Sequence, residues 1–163
     1  MLFLKSYQFG GLMIGIGLIF LFPFIISFIR KKIRKKQYLN SSLYLIDKMS
    51  GEQFEEYLKA HFEQLGYYVQ LTPKTADYGV DLICTKYHKG YTDKFVVQAK
   101  RYNGKVGISA IQQIIGGMKY YGAEKGYVVT NAHFTSNAIE LAKRSNITLW
   151  DRNTLREKFK ISN

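Results

Sequence analysis

The feature that most constrains this chain is an uncharged apolar run near its N-terminus, FGGLMIGIGLIFLFPFIISFI at residues 9–29. At about 1.5 Å per residue, a helix of that length reaches roughly 31 Å, which is the thickness of the hydrocarbon core of a bilayer. Only Lys5 precedes the run as a basic residue, whereas six basic residues follow it in the segment RKKIRKK. The pattern predicts a single membrane-spanning helix with its N-terminus outside and the rest of the chain in the cytoplasm.

A cleaved signal peptide is the alternative interpretation of this run. Such a peptide carries its positive charge before the apolar run and a small-residue cleavage site after it, and neither arrangement occurs here. We therefore expect residues 1–36 to form a membrane anchor, residues 37–48 a polar linker and residues 49–163 a separate domain. The lone Cys84 excludes a disulfide framework, in agreement with a reducing cytoplasm.

The rest of the chain alternates helical and strand patterns. Ser50 followed by Gln53 has capping-box spacing, and Gly66 is placed to end the helix that they begin. Strands are predicted at 67–71, 79–87, 94–100, 126–130 and 147–150, and later helices at 109–121, from Thr135 and near 154–159. The predicted buried stripes of two of these helices contain Ile111, Ile114, Ile115 and Met118, and Ala138, Ile139, Leu141 and Ala142. The order α-β-β-β-α-β-α-β-α predicts an α/β fold, a mixed sheet flanked by helices.

Three polar side chains interrupt apolar strands, namely Asp81 in one strand and Gln98 with Lys100 in the next. Residues two apart in a strand point to the same side, so Gln98 and Lys100 share a face. Opposed residues of an antiparallel hairpin also share a face, and their numbers sum to a constant. Asp81 joins the other two only if that sum is odd, for instance 179 or 181.

With that register, a carboxylate, an amide oxygen and an ammonium group converge at one point. Oxygen ligands suit Mg²⁺, which often completes its coordination with phosphate oxygens, and a lysine can orient or deprotonate a water molecule. The set therefore fits phosphodiester hydrolysis. The alternative is a structural ion pair between Asp81 and Lys100 capped by Gln98. Such pairs add little net stability, and charged groups of this kind concentrate at functional sites.

Five segments in order extend these observations to nearly the whole domain: GEQFEEYLKAHFEQLGY (51–67), ADYGVDLI (76–83), VVQAKRYNGKVG (96–107), GYVVTNAHFTSNAIELA (126–142) and ITLWDRNTL (147–155). Together they resemble the catalytic domain of Mrr-like restriction endonucleases, a branch of the PD-(D/E)xK nuclease superfamily. The resemblance implies a restriction-endonuclease-like fold, DNA cleavage dependent on Mg²⁺ or Mn²⁺, and a role in restriction or defence.

The resemblance also implies roles for single residues. Asp81 matches the metal-binding aspartate of the family, and Gln98 stands where this branch has glutamine in place of glutamate, which makes the motif QxK. Lys100 matches the motif lysine, and Glu55 matches the acid of the first helix. The expected catalytic residues are these four, with the metal held by Asp81, Gln98 and Glu55. Gln112, on the second helix, is carried over as a contact to nucleic acid.

Further contacts to phosphates are expected from Arg101 and Lys105, which follow the motif lysine. Tyr78 departs from the family, which has a small residue before the final Gly-Val-Asp. Together with Gln98 it favours the alternative function, a non-cleaving nucleic-acid-binding or membrane-tethering module with a degenerate nuclease fold. The expected partners are DNA, the membrane and a second copy of the chain, without a small-molecule cofactor. The pocket motif leaves the choice between DNA and RNA open.

Overall fold

The computed structural model describes residues 3–75 and 77–161, and it describes side chains from residue 21 onward. The chain divides into two compact units, Met1–Gln37 and Tyr38–Asn163. Helix α1 (Phe3–Leu39) contains the apolar run and the basic segment. The first part of the predicted span, residues 9–20, lies outside the described side chains. Over the residues that are described, no helix is both long and apolar enough to cross a bilayer.

The second unit contains the remaining elements, which follow the predicted order after one additional short helix. They are α2 (Leu43–Lys48), α3 (Gly51–Gln64), β1 (Tyr68–Leu71), β2 (Leu82–His88), β3 (Tyr91–Lys100), α4 (Ile108–Tyr120), β4 (Lys125–Thr130), α5 (Ser136–Arg144), β5 (Ile147–Trp150) and α6 (Arg152–Phe159). The additional helix α2 falls in the segment predicted to be a linker. It buries Leu43 and Ile46, which lie three residues apart and therefore on one helix face.

The five strands form one mixed sheet in the order β1-β2-β3-β4-β5. The first three strands pair antiparallel, and β3, β4 and β5 pair parallel. In the β2–β3 pair Leu82 faces Val97 and His88 faces Tyr91, so the paired numbers sum to 179, which confirms the predicted odd register. Strand β2 begins three residues later than predicted because Asp77 organises a turn just before it, described below.

The sheet separates two hydrophobic layers. One layer packs α2, α3 and α6 against side chains such as Leu82 and Val97. The other packs α4 and α5 against side chains such as Val96 and Val128. Two residues predicted to be buried in this second layer are exposed instead, Ile115 and Ile139. Small residues contribute to the inner face of both helices, Ala110 and Gly117 beside Ile111 and Ile114 in α4, and Ala138 and Ala142 in α5.

Cys84 lies near the middle of β2 and is fully buried in the first of these layers. The thiol is free. Burial among apolar side chains raises the pKa of Cys84 far above its ordinary range, because it disfavours the thiolate. Its position is that of a small hydrophobic core residue.

Candidate active site

Asp81 immediately precedes β2, and its backbone and side chain both bond to β3. Its N donates to the carbonyl of Val97 (2.8 Å), the residue that also faces Leu82 in the strand register. Two consecutive residues thus oppose Val97, as in a β-bulge, which redirects a side chain locally. The carboxylate Oδ2 accepts a hydrogen bond of 2.6 Å from the N of Ala99. The bulge therefore carries the Asp81 carboxylate to the end of β3, beside Lys100.

The groups around Asp81 shift its pKa in opposite directions. Burial raises the pKa of its carboxyl group above the ordinary value, and the nearby negative charge of Asp77 acts in the same direction. The hydrogen bond from Ala99 and the positive charge of Lys100 act to lower it. The net direction is upward, so Asp81 is a carboxylate whose negative charge is only partly compensated by its protein neighbours.

A recess of about 360 Å³ opens next to Asp81. Its walls come from the start of α3 and from the segment between β1 and β2, and they consist of Ser50, Gly51, Glu52, Glu55, Thr72, Pro73, Lys74, Asp77 and Asp81. Burial, followed by the charges of Asp81 and Glu52, raises the pKa of Glu55 to about 7. Two of the predicted carboxylates, Glu55 and Asp81, therefore share one open recess.

Local sequence signals build both walls. Ser50 and Gln53 form the predicted capping box, with reciprocal hydrogen bonds of 3.2 and 2.8 Å, and this fixes where α3 begins. In the opposite wall Asp77 Oδ1 accepts from the N of Gly79 (3.0 Å), and the carbonyl of Asp77 accepts from Val80 (3.0 Å). Gly79 has φ +75°, a conformation that suits glycine. The Asp-x-Gly turn thus sets the backbone direction of the segment that leads to Asp81.

Gln98 contacts Lys100 and helix α4. It is 1% exposed, and its amide lies 2.5 Å from the carbonyl of Ala110, 3.1 Å from Nζ of Lys100 and 2.7 Å from the amide of Gln113. These neighbours favour the orientation in which Nε2 donates to Ala110 and Oε1 accepts from Lys100, and in that orientation the bond between the two glutamines has Gln113 Nε2 as its donor and Gln98 Oε1 as its acceptor. Because side chains alternate along β3, Gln98 shares the α4 side of the sheet with Val96, whereas Glu55 comes from the α3 side.

The predicted contacts to nucleic acid have different surroundings. Lys105 and Gln112 are exposed. Arg101 donates from Nη1 to Oδ1 of Asn103 (2.6 Å) and, at 3.4 Å, to the carbonyl of Asp47, so part of its guanidinium group is engaged within the protein. The glutamine of α4 that contacts β3 is Gln113, whereas the family resemblance indicated its neighbour Gln112.

Two site residues were missed by the sequence reasoning. Asp77 lines the recess, and the Asp-x-Gly spacing was a signal that could have identified it. Gln113 contacts Gln98, and its own Cβ packs closely against Gly79. A close approach of that kind between two segments more than 30 residues apart leaves no periodic pattern in the sequence.

The end of β3 is held by the last side chain of β4 and the one that follows it. The fully buried Thr130 donates from its hydroxyl to the carbonyl of Lys100 (2.6 Å). The next residue, Asn131, accepts at Oδ1 from the N of Tyr102 (2.8 Å). Asn131 also donates from Nδ2 to Asp47 in α2 (2.9 Å). These bonds fix the backbone on both sides of Arg101 and thereby the direction in which Lys100 leaves the sheet.

Asp47 completes this support through helix α6. Its Oδ1 accepts a hydrogen bond of 2.6 Å from Nη1 of Arg152, and the same Nη1 donates to the carbonyl of Asn131 (3.1 Å). Burial on its own would raise the pKa of Asp47, but the hydrogen bonds from Arg152 and Asn131 outweigh it and lower the pKa. The sequence reasoning assigned no function to these residues.

The donor chemistry of the recess fits a divalent cation. Within the described residues, no group of three or more His, Cys, Asp and Glu side chains is placed to hold a metal ion. Mg²⁺, however, is commonly bound by one or two carboxylates together with waters and substrate phosphates. Glu55 and Asp81 supply two carboxylates on one open recess, and both have raised pKa values that a nearby cation would lower.

Comparisons with known proteins agree with this geometry. The restriction endonuclease family Mrr_cat matches residues 46–159, which is most of the chain. A relative from Sinorhizobium fredii (strain NBRC 101917 / NGR234), the uncharacterized protein y4cE, is 30% identical over 97 residues; these are 58% of this chain and 25% of the relative. The chain therefore spans about a quarter of the curated relative it matches.

Among solved structures, the DNA modification-dependent restriction endonuclease AspBHI is similar with a TM-score of 0.58 and 20% sequence identity. The similarity covers 77% of this chain and 35% of that structure, and it shows a restriction-endonuclease-like fold. The five-stranded mixed sheet, the recess at its edge and the match over residues 46–159 lead to one assignment. The chain belongs to the Mrr_cat restriction endonuclease family.

Proposed function

We propose that this protein is a membrane-anchored, divalent-metal-dependent endonuclease that hydrolyses DNA phosphodiester bonds. The observation that carries the proposal is the recess shared by Glu55 and Asp81, with Lys100 close enough to Asp81 for its charge to act on the carboxylate. Family membership supports a nuclease, and the similar structure AspBHI is by its name an endonuclease that acts on DNA.

In this proposal the side chains have separate tasks. Glu55 and Asp81 hold Mg²⁺ or Mn²⁺, which when bound lowers the pKa of water and neutralises charge on the phosphate. Lys100 orients the attacking water, and Gln98 in turn orients the ammonium group of Lys100. The oxygen of that water joins the phosphorus atom as one P–O bond to the sugar breaks, and a proton of the water ends on the leaving oxygen. Lys105 contacts neighbouring phosphates.

The membrane anchor is the part of the proposal that comes from the sequence. The uncharged run at 9–29 is long enough to span a bilayer as a helix, and the six basic residues after it favour a cytoplasmic side for the nuclease unit. Such a placement suits an enzyme that acts on DNA entering the cell. Fractionation of cells should recover the full-length chain with membranes, resistant to extraction by alkaline carbonate, and recovery in the soluble fraction would contradict the anchor.

Cleavage is tested with the full-length chain purified in detergent. With Mg²⁺ or Mn²⁺ the wild type should nick or cut DNA, Asp81→Asn should not, and the exposed Glu157→Gln should match the wild type. Single-stranded, duplex, branched and modified DNA, with RNA alongside, serve as parallel substrates. Equal inactivity of the wild type and Asp81→Asn on all of them would refute the catalytic proposal.

A second candidate function is a nucleic-acid-binding module that does not cleave. The observation that favours it is the engagement of the Gln98 amide with Ala110, Lys100 and Gln113, which are not metal-binding groups. This function predicts binding that persists in EDTA and is unchanged in Asp81→Asn, without product on any substrate. Metal-dependent product formation would exclude it.

A further inference from the structure

Two exposed tyrosines stack on each other at the surface of the nuclease unit. The rings of Tyr78 and Tyr120 lie 4.0 Å apart at an interplanar angle of 26°, although the residues are 50% and 61% exposed. Tyr121 meets Tyr120 edge-on, with the ring centroids 4.9 Å apart at 84°. We call Tyr78, Tyr120 and Tyr121 the tyrosine platform. It presents stacked aromatic surface to solvent.

The platform is built on a tightly packed support. A Cβ atom on Gly79 would lie 2.5 Å from Cβ of Gln113, and one on Gly117 would lie 2.7 Å from the carbonyl of Tyr78. The segment around Tyr78 is therefore pressed directly onto α4. Tyr78 itself has φ +51°, which is uncommon for a bulky residue and is maintained only where the surrounding structure enforces it.

The same segment connects the platform to the recess. Asp77 and Asp81, which flank Tyr78, both line the recess. Tyr78 directly follows Asp77 in the chain, and Asp77 Oδ1 accepts a hydrogen bond from the N of Gly79 on the other side of Tyr78, so the platform and the recess adjoin. The segment from Asp77 to Asp81 thus places two carboxylates in the recess and the ring of Tyr78 in the tyrosine platform.

We propose that the tyrosine platform stacks an unpaired base of the nucleic acid whose phosphate enters the adjoining recess. The inference rests on the proposed function and specifies its substrate class. Aromatic side chains stack on every base, because each base has a π-face, whereas the bases of a continuous duplex already cover one another. The unit as a whole is basic, with 17 Lys and Arg against 12 Asp and Glu in residues 38–163, and the exposed Lys119 adjoins Tyr120. The preferred substrate is therefore single-stranded DNA or DNA with a displaced base.

Binding in EDTA tests this inference without cleavage. The probes are a single-stranded oligonucleotide carrying 2-aminopurine, the same strand with abasic sites in place of bases, and the corresponding duplex. The full-length wild type should bind the base-bearing strand more tightly than the abasic one and quench 2-aminopurine fluorescence. Tyr120→Leu and Tyr78→Leu should weaken binding of the base-bearing strand by about 5- to 100-fold. Their phenylalanine counterparts should retain it.

Tyr87→Leu is the matched control. Tyr87 is 76% exposed and lies five residues after the start of β2, about 20 Å along the strand from Asp81. Equal binding of Tyr120→Leu and Tyr87→Leu, or equal binding of base-bearing and abasic strands by the wild type, would overturn the inference. The abasic comparison uses only the wild type, so it holds even if a leucine variant folds poorly.

The cleavage assay separates this inference from the proposed function. If the wild type binds the base-bearing strand more tightly than the abasic strand in EDTA, but forms no product with Mg²⁺ or Mn²⁺, cleavage is refuted and the tyrosine platform is supported. Metal-dependent cleavage with leucine variants that bind and cleave like the wild type would refute the tyrosine platform and leave the nuclease supported.

Discussion

The side-chain amides of Gln98 and Gln113 lie 2.7 Å apart, which joins the strand that carries Lys100 to helix α4. Gln113 thereby restricts the orientation of the amide that contacts the Lys100 ammonium group. Gln113 and its neighbour Gln112 are both exposed, but Gln112 has its role from the family resemblance alone. The two positions therefore give different expectations.

Replacing Gln113 with alanine should reduce cleavage more than replacing Gln112. Loss of one hydrogen bond to Gln98 corresponds to about 1 kcal/mol, or roughly a fivefold lower kcat. Gln112→Ala should instead raise the KM for DNA, since a phosphate contact acts on binding. Single-turnover kinetics with both variants distinguish the two effects. A larger fall in kcat for Gln112→Ala than for Gln113→Ala would contradict the assignment.

Replacing Thr130 with valine should impair the site indirectly, through the backbone of Lys100. Valine has the shape of threonine but removes the hydroxyl that donates to the carbonyl of Lys100, leaving a buried acceptor without its partner. We expect a loss of about 1–3 kcal/mol in the free energy of unfolding, measured in urea, together with lower kcat at unchanged DNA affinity. Thr130→Ser restores the hydroxyl and should recover most of both quantities. Equal behaviour of the two variants would show that the hydroxyl is irrelevant.

Mg²⁺ should stabilise the folded chain in the absence of DNA. A cation held by Glu55 and Asp81 binds the folded state and raises the melting temperature as its concentration increases. Asp81→Asn removes one of the carboxylates, so its melting temperature should respond far less. Glu157→Gln, outside the recess, should respond like the wild type. The same response in Asp81→Asn and the wild type would place the cation elsewhere.

His61 should make the folded state sensitive to acid. It is 4% exposed, its ring stacks on Phe159 at 4.1 Å, and Nε2 has no hydrogen-bond partner within the described part of the chain. Burial lowers the pKa of His61 from 6.5 to about 4, although a backbone hydrogen bond with Tyr38 acts in the opposite direction. The unfolded chain therefore binds a proton first as the pH falls below 6.5, which favours unfolding.

The loss of stability from His61 should accumulate between pH 6.5 and about pH 4 and reach on the order of 3 kcal/mol. Urea denaturation across this range measures it. His61→Phe removes the titrating group and retains an aromatic ring beside Phe159, so its free energy of unfolding should fall less steeply over the same range. Parallel curves for the wild type and His61→Phe would refute the prediction.

Lys105 and Arg101 should respond differently to substitution. Lys105→Ala should reduce the slope of log binding constant against log salt concentration by about one, as expected for a lost phosphate contact. Arg101→Ala should mainly lower the free energy of unfolding, because Asn103 and the carbonyl of Asp47 lose their donor. Salt titrations of DNA binding and urea denaturation of both variants provide the measurements. A full unit of slope lost in Arg101→Ala without destabilisation would assign that side chain to DNA instead.

Much of the sheet could be predicted because its signals are local. The capping box of Ser50 and Gln53, the glycine at 66 and the alternation of apolar residues predicted the order of the elements. The requirement that Asp81 share a face with Gln98 and Lys100 predicted the odd register of β2 and β3. The position of Asp81 could not be predicted from such local signals, because the bulge that contains it depends on the turn formed by Asp77. Such a turn changes the direction of the backbone without changing the apolar periodicity.

The surroundings of Gln98 could not be obtained in this way. Periodicity places Gln98 and Lys100 on one face, but the direction of the amide depends on Ala110, which arrives with α4 from a later part of the chain. The burial of Leu43 and Ile46 is similar, since a six-residue helix shows too little periodicity to be separated from a polar linker. Tertiary packing decided both features.

The buried thiol of Cys84 has a practical consequence. It is the single cysteine of the sequence, and thiol reagents attack the thiolate, which burial suppresses. The folded chain should therefore remain unlabelled by maleimide dyes without removal of a native residue. A cysteine introduced at Tyr87 would carry a fluorophore at one defined position, and delayed labelling of Cys84 itself would report the opening of the central strands.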